Sequence, residues 1–146
     1  MTIDSFAKLL QFSISPIALI SGASLLLLSI TNRFGRTIDR SRSLVRELEA
    51  NASSPHKEEH KYQLRILLRR SRFLRSAILC ISSSIFLSAL MIMMVFLQVF
   101  VGWELKLVVL TSMFFSVFSI CAAVVYLFFD ASAGLKALEV EIGRHI

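Results

Sequence analysis

Three long apolar runs, each with few or no charges, alternate with polar segments along the 146 residues. They cover residues 9–31, then 73 or 74 to 101, and finally 105–129. Each run is at least as long as the roughly 20 residues that an α-helix needs to cross a hydrocarbon core about 30 Å thick. The pattern therefore predicts an all-α integral membrane protein with three transmembrane helices, organised as one membrane domain.

The segments of this domain follow from the same pattern. They are an interfacial segment at 1–12, a first span at 13–31, a basic helical hairpin at 32–75, a second span at 76–101, a third span at 105–129, and a tail helix at 130–146. A cleaved signal peptide is a poor alternative for the first run, because the apolar stretch continues past its small residues. Cys80 and Cys121 lie inside spans, and we expect no disulfide between them.

The polar segment after the first span predicts two helical limbs that pack antiparallel. Apolar or small residues recur on each limb at alternating spacings of four and three, which is the spacing of a heptad seam. They are Phe34, Ile38, Ser41, Val45 and Leu48 on the first limb, and Leu64, Leu67, Ser71, Leu74 and Ile78 on the second. Residues 49–56 contain Asn, Ser and Pro55, which favour a turn. We expect the first helix to run from about Pro16 to about Glu49.

The charge distribution predicts the orientation. Residues 32–75 hold twelve of the 16 basic residues and five of the ten acidic ones, a net charge of +7, whereas the N-terminal segment and the Trp103 turn are each neutral. Short basic loops collect on the cytoplasmic side of a membrane. We therefore expect the N-terminus outside and the hairpin and C-terminus in the cytoplasm. Anionic lipid headgroups are the nearest partners for this charge, and positive-inside anchoring alone also explains it.

One face of the first helix remains beside the seam. At 100° per residue, the residues within about 60° of the direction of Ser21 include seven that we single out. They are Ser21, Ser24, Leu28, Asn32, Gly35, Arg36 and Asp39, here called the polar face. Polar groups in a bilayer need partners or water. Either other helices pack on this face, or copies of the helix surround a wet axis.

The second arrangement would make an ion pore. Ser21 and Asn32 would form rings, Leu28 a constriction that gates by dewetting, and Arg36 and Asp39 the inner mouth, where basic rings favour anions. Small-residue stripes on the other spans, which allow close helix packing, favour a homo-oligomer. These are Ser84 and Ser88, then Ser112, Ser116, Ser119 and Ala123.

Asp130 is an acidic residue at the inner end of the third run. It should lie at the depth of Asn32, Arg33 and Arg36, so a pair with Arg33 or Arg36 would tie the third span to the first. Alternatively, Asp130 only marks where the helix leaves the membrane.

Chemical motifs are weak. His56 to His60 read H-x-x-E-H, the spacing of a zinc protease, but on a charged turn without an apolar pocket or a clear third ligand. We expect no metal site, no cofactor, no enzymatic activity and no nucleic-acid binding.

The segment from Ile14 to Arg42 resembles the signature of a bacterial membrane-protein family known as a domain of unknown function. The matching positions are Pro16, Ser21-Gly22, Thr31-Asn32-Arg33, Gly35-Arg36 and Asp39-Arg40. The resemblance implies a bacterial cytoplasmic membrane and no particular activity. The leading functional prediction is a homo-oligomeric ion channel or pore lined by the first helix, because the polar face runs through the membrane and into the hairpin. The alternatives are a scaffold or regulator that uses its basic hairpin, and a subunit of a larger membrane complex.

Overall fold

Three long α-helices make up the computed structural model, which describes residues 3–50, 57–101 and 106–142. They are α1 (Ile3–Ala50), α2 (Lys57–Val101) and α3 (Lys106–Ile142), and no strand occurs within these ranges. Each helix contains a segment long and apolar enough to cross a membrane, namely Ile14–Ala50, His60–Gln98 and Lys106–Leu135. The prediction of an all-α protein with three such helices is confirmed. Most of the predicted inner turn, residues 51–56, and the Trp103 turn lie outside the described residues.

Two helix boundaries differ from the prediction. α1 begins at Ile3, so Pro16 lies inside the helix rather than at its start. A proline costs a helix one backbone hydrogen bond, but membrane helices tolerate it because neighbouring helices, Ser or Thr side chains and local adjustments of the backbone satisfy the freed carbonyl. α3 likewise continues through Asp130 to Ile142, so the predicted tail is the end of the third helix, not a separate one.

The chain divides into two compact units. Unit 1 contains Met1–Leu28 and Leu79–Ala123, and unit 2 contains Ser29–Ile78 and Val124–Ile146. In unit 1 the buried residues are mostly small, such as Ala23, Ser84 and Ala123, whereas large apolar side chains such as Phe86 and Phe114 are exposed. This is the arrangement of helices that approach closely through small residues and present apolar surface to lipid.

Unit 2 packs the cytoplasm-predicted part of α1 and α2 together with the end of α3. Ile30, Leu44 and Leu74 are fully buried in it, and the rings of Phe73 and Phe129 stack with centroids 6.0 Å apart. Glu47 near the end of α1 lies 3.8 Å from His60 near the start of α2, as an antiparallel hairpin requires.

The hairpin seam on α1 is rotated from its predicted position. Thr37, Ser41 and Leu44 are buried, whereas Val45 is 38% exposed. The predicted seam considered α2 as the only partner of this limb. α3 also belongs to unit 2 and contributes to the burial of α1. The buried residues of α1 therefore lie about 140° to 200° around the helix from Ser21, nearly opposite the polar face.

Candidate functional site

The side chains of Arg33, Arg70 and Asp130, here called the arginine–aspartate cluster, connect the three helices of unit 2. Nε of Arg70 donates a hydrogen bond to Oδ1 of Asp130 at 3.0 Å, and Nη1 of Arg33 lies 3.7 Å from Oδ2. The Asp130 side chain has no exposed surface, while those of Arg70 and Arg33 are 29% and 45% exposed. A buried carboxylate needs such partners, because removing a charge from water is costly.

Asp130 is not fully satisfied by these contacts. Oδ2 is buried and has no hydrogen-bond partner among the described residues, since 3.7 Å to Arg33 is an ion-pair distance rather than a hydrogen bond. The carboxylate is therefore held firmly on the Arg70 side and loosely on the Arg33 side.

Gly134 provides the space in which Arg70 lies. It follows Asp130 by one turn of α3, and a Cβ atom built at Gly134 would lie 3.3 Å from Cζ of Arg70 and 3.5 Å from each terminal nitrogen. Because glycine has no side chain, the guanidinium can rest directly against the backbone of α3. Asp130 and Gly134 thus fix the position of Arg70 together. Asp130 binds it through its charge, and Gly134 leaves space for it because it has no side chain.

Beside this cluster is a groove of about 480 Å³, here called the arginine groove. Its lining residues are Arg33, Arg36, Thr37, Arg40, Leu67, Arg70 and Ala131. Arg36 and Arg40 are exposed and form no ion pair within the described ranges. Because like charges one helical turn apart repel each other, a groove lined in this way favours a bound anion.

The sequence identified part of this arrangement. Arg33 lies within ion-pair distance of Asp130, as one of the two expected pairs, whereas Arg36 lines the groove without pairing to Asp130. Arg70, which makes the shortest contact, was not singled out. One signal for Arg70 lies on its own helix: it follows Leu67 by three residues and precedes Leu74 by four, so it lies on the packing side of α2.

The polar face of α1 is left largely uncovered by the residues that the structure describes. Ser21, Ser24, Leu28, Asn32, Arg36 and Asp39 are exposed, and Gly35 is half-buried. The hydroxyls of Ser21 and Ser24 donate to the carbonyls of Ile17 and Ile20 in their own helix, so they require no partner. In addition, exposed Ile17 and Leu25 fall within about 40° of Ser21. The part of this face in unit 1 therefore presents both apolar and polar side chains.

The serine stripes of α2 and α3 meet within unit 1. Oγ of Ser116 lies 2.8 Å from Oγ of both Ser84 and Ser88 and 3.0 Å from the Ser84 carbonyl oxygen. Ser119 donates to the carbonyl of Cys80 at 2.7 Å. These stripes therefore find their partners inside one chain, and they no longer require a second copy.

The H-x-x-E-H motif lies partly outside the described residues, because His56 falls there. His60 faces Glu47. Among the residues that the structure describes, no group of three His, Cys, Asp or Glu side chains is placed to hold a metal ion.

A family model described as "Protein of unknown function (DUF2721)" matches residues 13–140. The chain belongs to this family. The resemblance seen in the signature around Ser21 and Asp39 is thereby confirmed, and the match to the DUF2721 family extends over all three helices. No curated protein and no solved structure matches the chain.

Proposed function

We propose that this chain is a membrane-anchored regulator or scaffold of the bacterial cytoplasmic membrane, whose hairpin binds anionic lipid headgroups on the cytoplasmic side. The N-terminus would lie outside and the C-terminus in the cytoplasm. One observation carries the proposal: eight of the ten arginines in Ser29–Ile78 form no ion pair within the described part of the chain. Arg33 and Arg70 are the two that pair with a carboxylate among the residues described.

Unpaired arginines need a counter-charge that the described residues do not supply. Near an anionic leaflet each basic side chain is worth about 1 kcal/mol of attraction, and several together hold a surface against the headgroups. The arginine stems also cover apolar surface, and Arg69 lies 5.9 Å from the ring centroid of Phe73. A surface of this composition can carry charge and remain close to lipid.

The test is the lipid that remains with the protein. The full chain is reconstituted in vesicles of phosphatidylcholine and phosphatidylglycerol, extracted in mild detergent, and its retained lipids are quantified. We expect enrichment of phosphatidylglycerol, a reduced enrichment when Arg65, Arg69 and Arg72 are replaced by Gln, and full enrichment when they are replaced by Lys. Retained lipid with the bulk ratio in all three proteins would contradict the proposal.

A second candidate function is a homo-oligomeric ion channel or pore lined by the polar face of α1. The observation that favours it is the exposure of Asn32, Arg36 and Asp39, none of which has a side-chain partner in the described residues. Copies of α1 would cover these groups. The exposed Leu28 would then form the narrowest ring, where a hydrophobic constriction excludes water.

Counting subunits and measuring ion flux test this second candidate. Native mass spectrometry of the purified chain gives the number of copies, and liposome flux is compared for the parent protein, Leu28→Ser and Leu79→Ser. Leu79 is an exact match in exposure, 59% for both side chains, but lies on α2. We expect flux to rise only with Leu28→Ser. A monomer without flux in all three proteins would exclude a pore.

A further inference from the structure

We propose that the arginine groove is a binding site for a phosphate group with two negative charges, either a phosphomonoester headgroup or inorganic phosphate. The inference rests on the first proposed function and makes it specific: one set of arginines, in one groove, recognises one chemical group. The structural basis is the juxtaposition of Arg36 and Arg40 on α1 with Arg70, whose position on α2 is fixed by Asp130 and Gly134.

The charge at this groove suits a dianion. Four arginines line it, and Asp130 beside it is a buried carboxylate that neutralises one of them. Three positive charges remain around a volume of about 480 Å³, which is ample for a phosphate group. A monoanion would leave most of this repulsion in place, whereas a phosphomonoester with a charge between −1.5 and −2 at neutral pH removes more of it.

The available hydrogen-bond donors also suit phosphate. Arg36 and Arg40 each carry a planar guanidinium that can donate two parallel hydrogen bonds to phosphate oxygens. Arg70 uses Nε for Asp130, and its terminal nitrogens make no other hydrogen bond within the described residues. Thr37 adds no donor, because its hydroxyl already donates to the Arg33 carbonyl at 2.9 Å.

Asp130 acts as a positioning residue in this site. Its carboxylate accepts a hydrogen bond from Nε of Arg70, while the missing side chain of Gly134 leaves room for the guanidinium beside α3. A long, flexible arginine is thereby restricted before any ligand arrives, which lowers the entropy lost on binding. The single charge of this carboxylate also reduces, without removing, the repulsion among the four guanidinium groups that line the groove.

Other basic residues of the hairpin provide a matched control. Arg42 and Arg46 lie on the same helix and are exposed, but they line different grooves of unit 2. Replacing both by Gln changes the net charge as much as replacing Arg36 and Arg40. A general electrostatic effect would affect the two double variants equally, whereas a groove that binds phosphate would not.

The experiment uses the full chain in zwitterionic detergent and two kinds of probe. Inorganic phosphate is titrated by calorimetry, and adducts of phosphatidic acid and phosphatidylglycerol are counted by native mass spectrometry. We expect Arg36→Gln with Arg40→Gln to weaken phosphate and phosphatidic acid binding about a hundredfold, roughly tenfold per guanidinium. Arg36→Lys with Arg40→Lys should weaken it by about tenfold, because lysine lacks the fork. Arg42→Gln with Arg46→Gln should change it less than about twofold.

The outcomes distinguish a lipid phosphate from a soluble one, and binding in the arginine groove from binding to the wider basic surface. Preference for phosphatidic acid, lost in the groove variants, supports a lipid headgroup as the ligand. Binding of inorganic phosphate without phosphatidic acid supports a soluble phosphate. Equal weakening by both double variants, or full binding by the lysine variant, overturns the groove and leaves the broader anionic-lipid surface standing. Absence of binding to either phosphate probe also overturns the groove, and the retained-lipid measurement then decides the broader proposal.

Discussion

Nε of Arg70 lies 3.0 Å from Oδ1 of Asp130, a carboxylate without exposed surface. The contact joins α2 to α3 over a separation of 60 residues. Asp130 lies within ion-pair distance of two arginines, Arg70 at 3.0 Å and Arg33 at 3.7 Å. The stability of unit 2 and the shape of its groove therefore depend on one acidic side chain.

Replacing Asp130 by Asn should destabilise the fold. The change keeps the shape of the side chain but leaves Arg70 and Arg33 without a counter-charge, and breaking a buried pair in this way costs about 3–5 kcal/mol. Because both arginines are partly exposed, water recovers some of this, and we expect a loss of about 2 kcal/mol. Denaturation followed by circular dichroism measures it. Asp39→Asn, at an exposed carboxylate, should change the free energy of unfolding by less than about 0.5 kcal/mol.

Arg70 and Arg33 should differ in how much their contact with Asp130 stabilises the fold. Arg70 makes a 3.0 Å hydrogen bond and is the more buried, whereas Arg33 lies at 3.7 Å and is 45% exposed. Double-mutant cycles with Asp130→Asn should therefore give a coupling energy for Arg70→Gln of about 1–2 kcal/mol, larger than that for Arg33→Gln. Equal coupling energies would mean that Asp130 does not prefer Arg70.

Replacing glycine by alanine should stabilise the fold at Gly35 but not at Gly134. Both changes improve helix propensity by about 0.5–1 kcal/mol. A Cβ atom at Gly35 meets nothing within 4 Å, whereas one at Gly134 meets Cζ of Arg70 at 3.3 Å. We expect Gly35→Ala to stabilise the fold and Gly134→Ala to be neutral or destabilising. In an Arg70→Gln background, Gly134→Ala should stabilise the fold as much as Gly35→Ala does. If it does not, Arg70 is not the group with which the added Cβ clashes.

Removing the Ser116 hydroxyl should weaken unit 1. Ser84 and Ser88 both contact it, and interhelical hydrogen bonds in membrane proteins average about 0.6 kcal/mol each. Ser116→Ala should therefore cost about 1–2 kcal/mol, by the same principle of summed interhelical bonds. Ser83→Ala, at an exposed neighbouring position, is the control and should be close to neutral. A similar effect of both changes, measured by denaturation, would contradict a shared role for Ser116.

The helices were predictable because lipid imposes a strong rule on sequence. A span needs an uninterrupted apolar run, and the three runs are visible without any structure. The family signature likewise lies in one continuous segment. The position of Asp130 near Arg33 also followed from depth, since both residues end an apolar run on the side of the basic segment.

The partner choice inside unit 2 was harder to predict. Arg70 lies among Arg65, Arg69, Arg72 and Arg75, and composition does not distinguish them. Only helical phase and the small residue at Gly134 mark it out, and the second signal lies on another helix. The seam on α1 was misplaced for a related reason, because a two-helix pattern does not include the third helix that turns Leu44 inward and Val45 outward.

The order of synthesis determines when the Arg70–Asp130 contact can form. A nascent chain is made from its N-terminus, so α1 and α2 exist before residue 130 has been added. During that interval the carboxylate that pairs with Arg33 and Arg70 in the finished fold has not yet been made. The synthesis of α3 then supplies this carboxylate from within the chain, so the last helix completes unit 2.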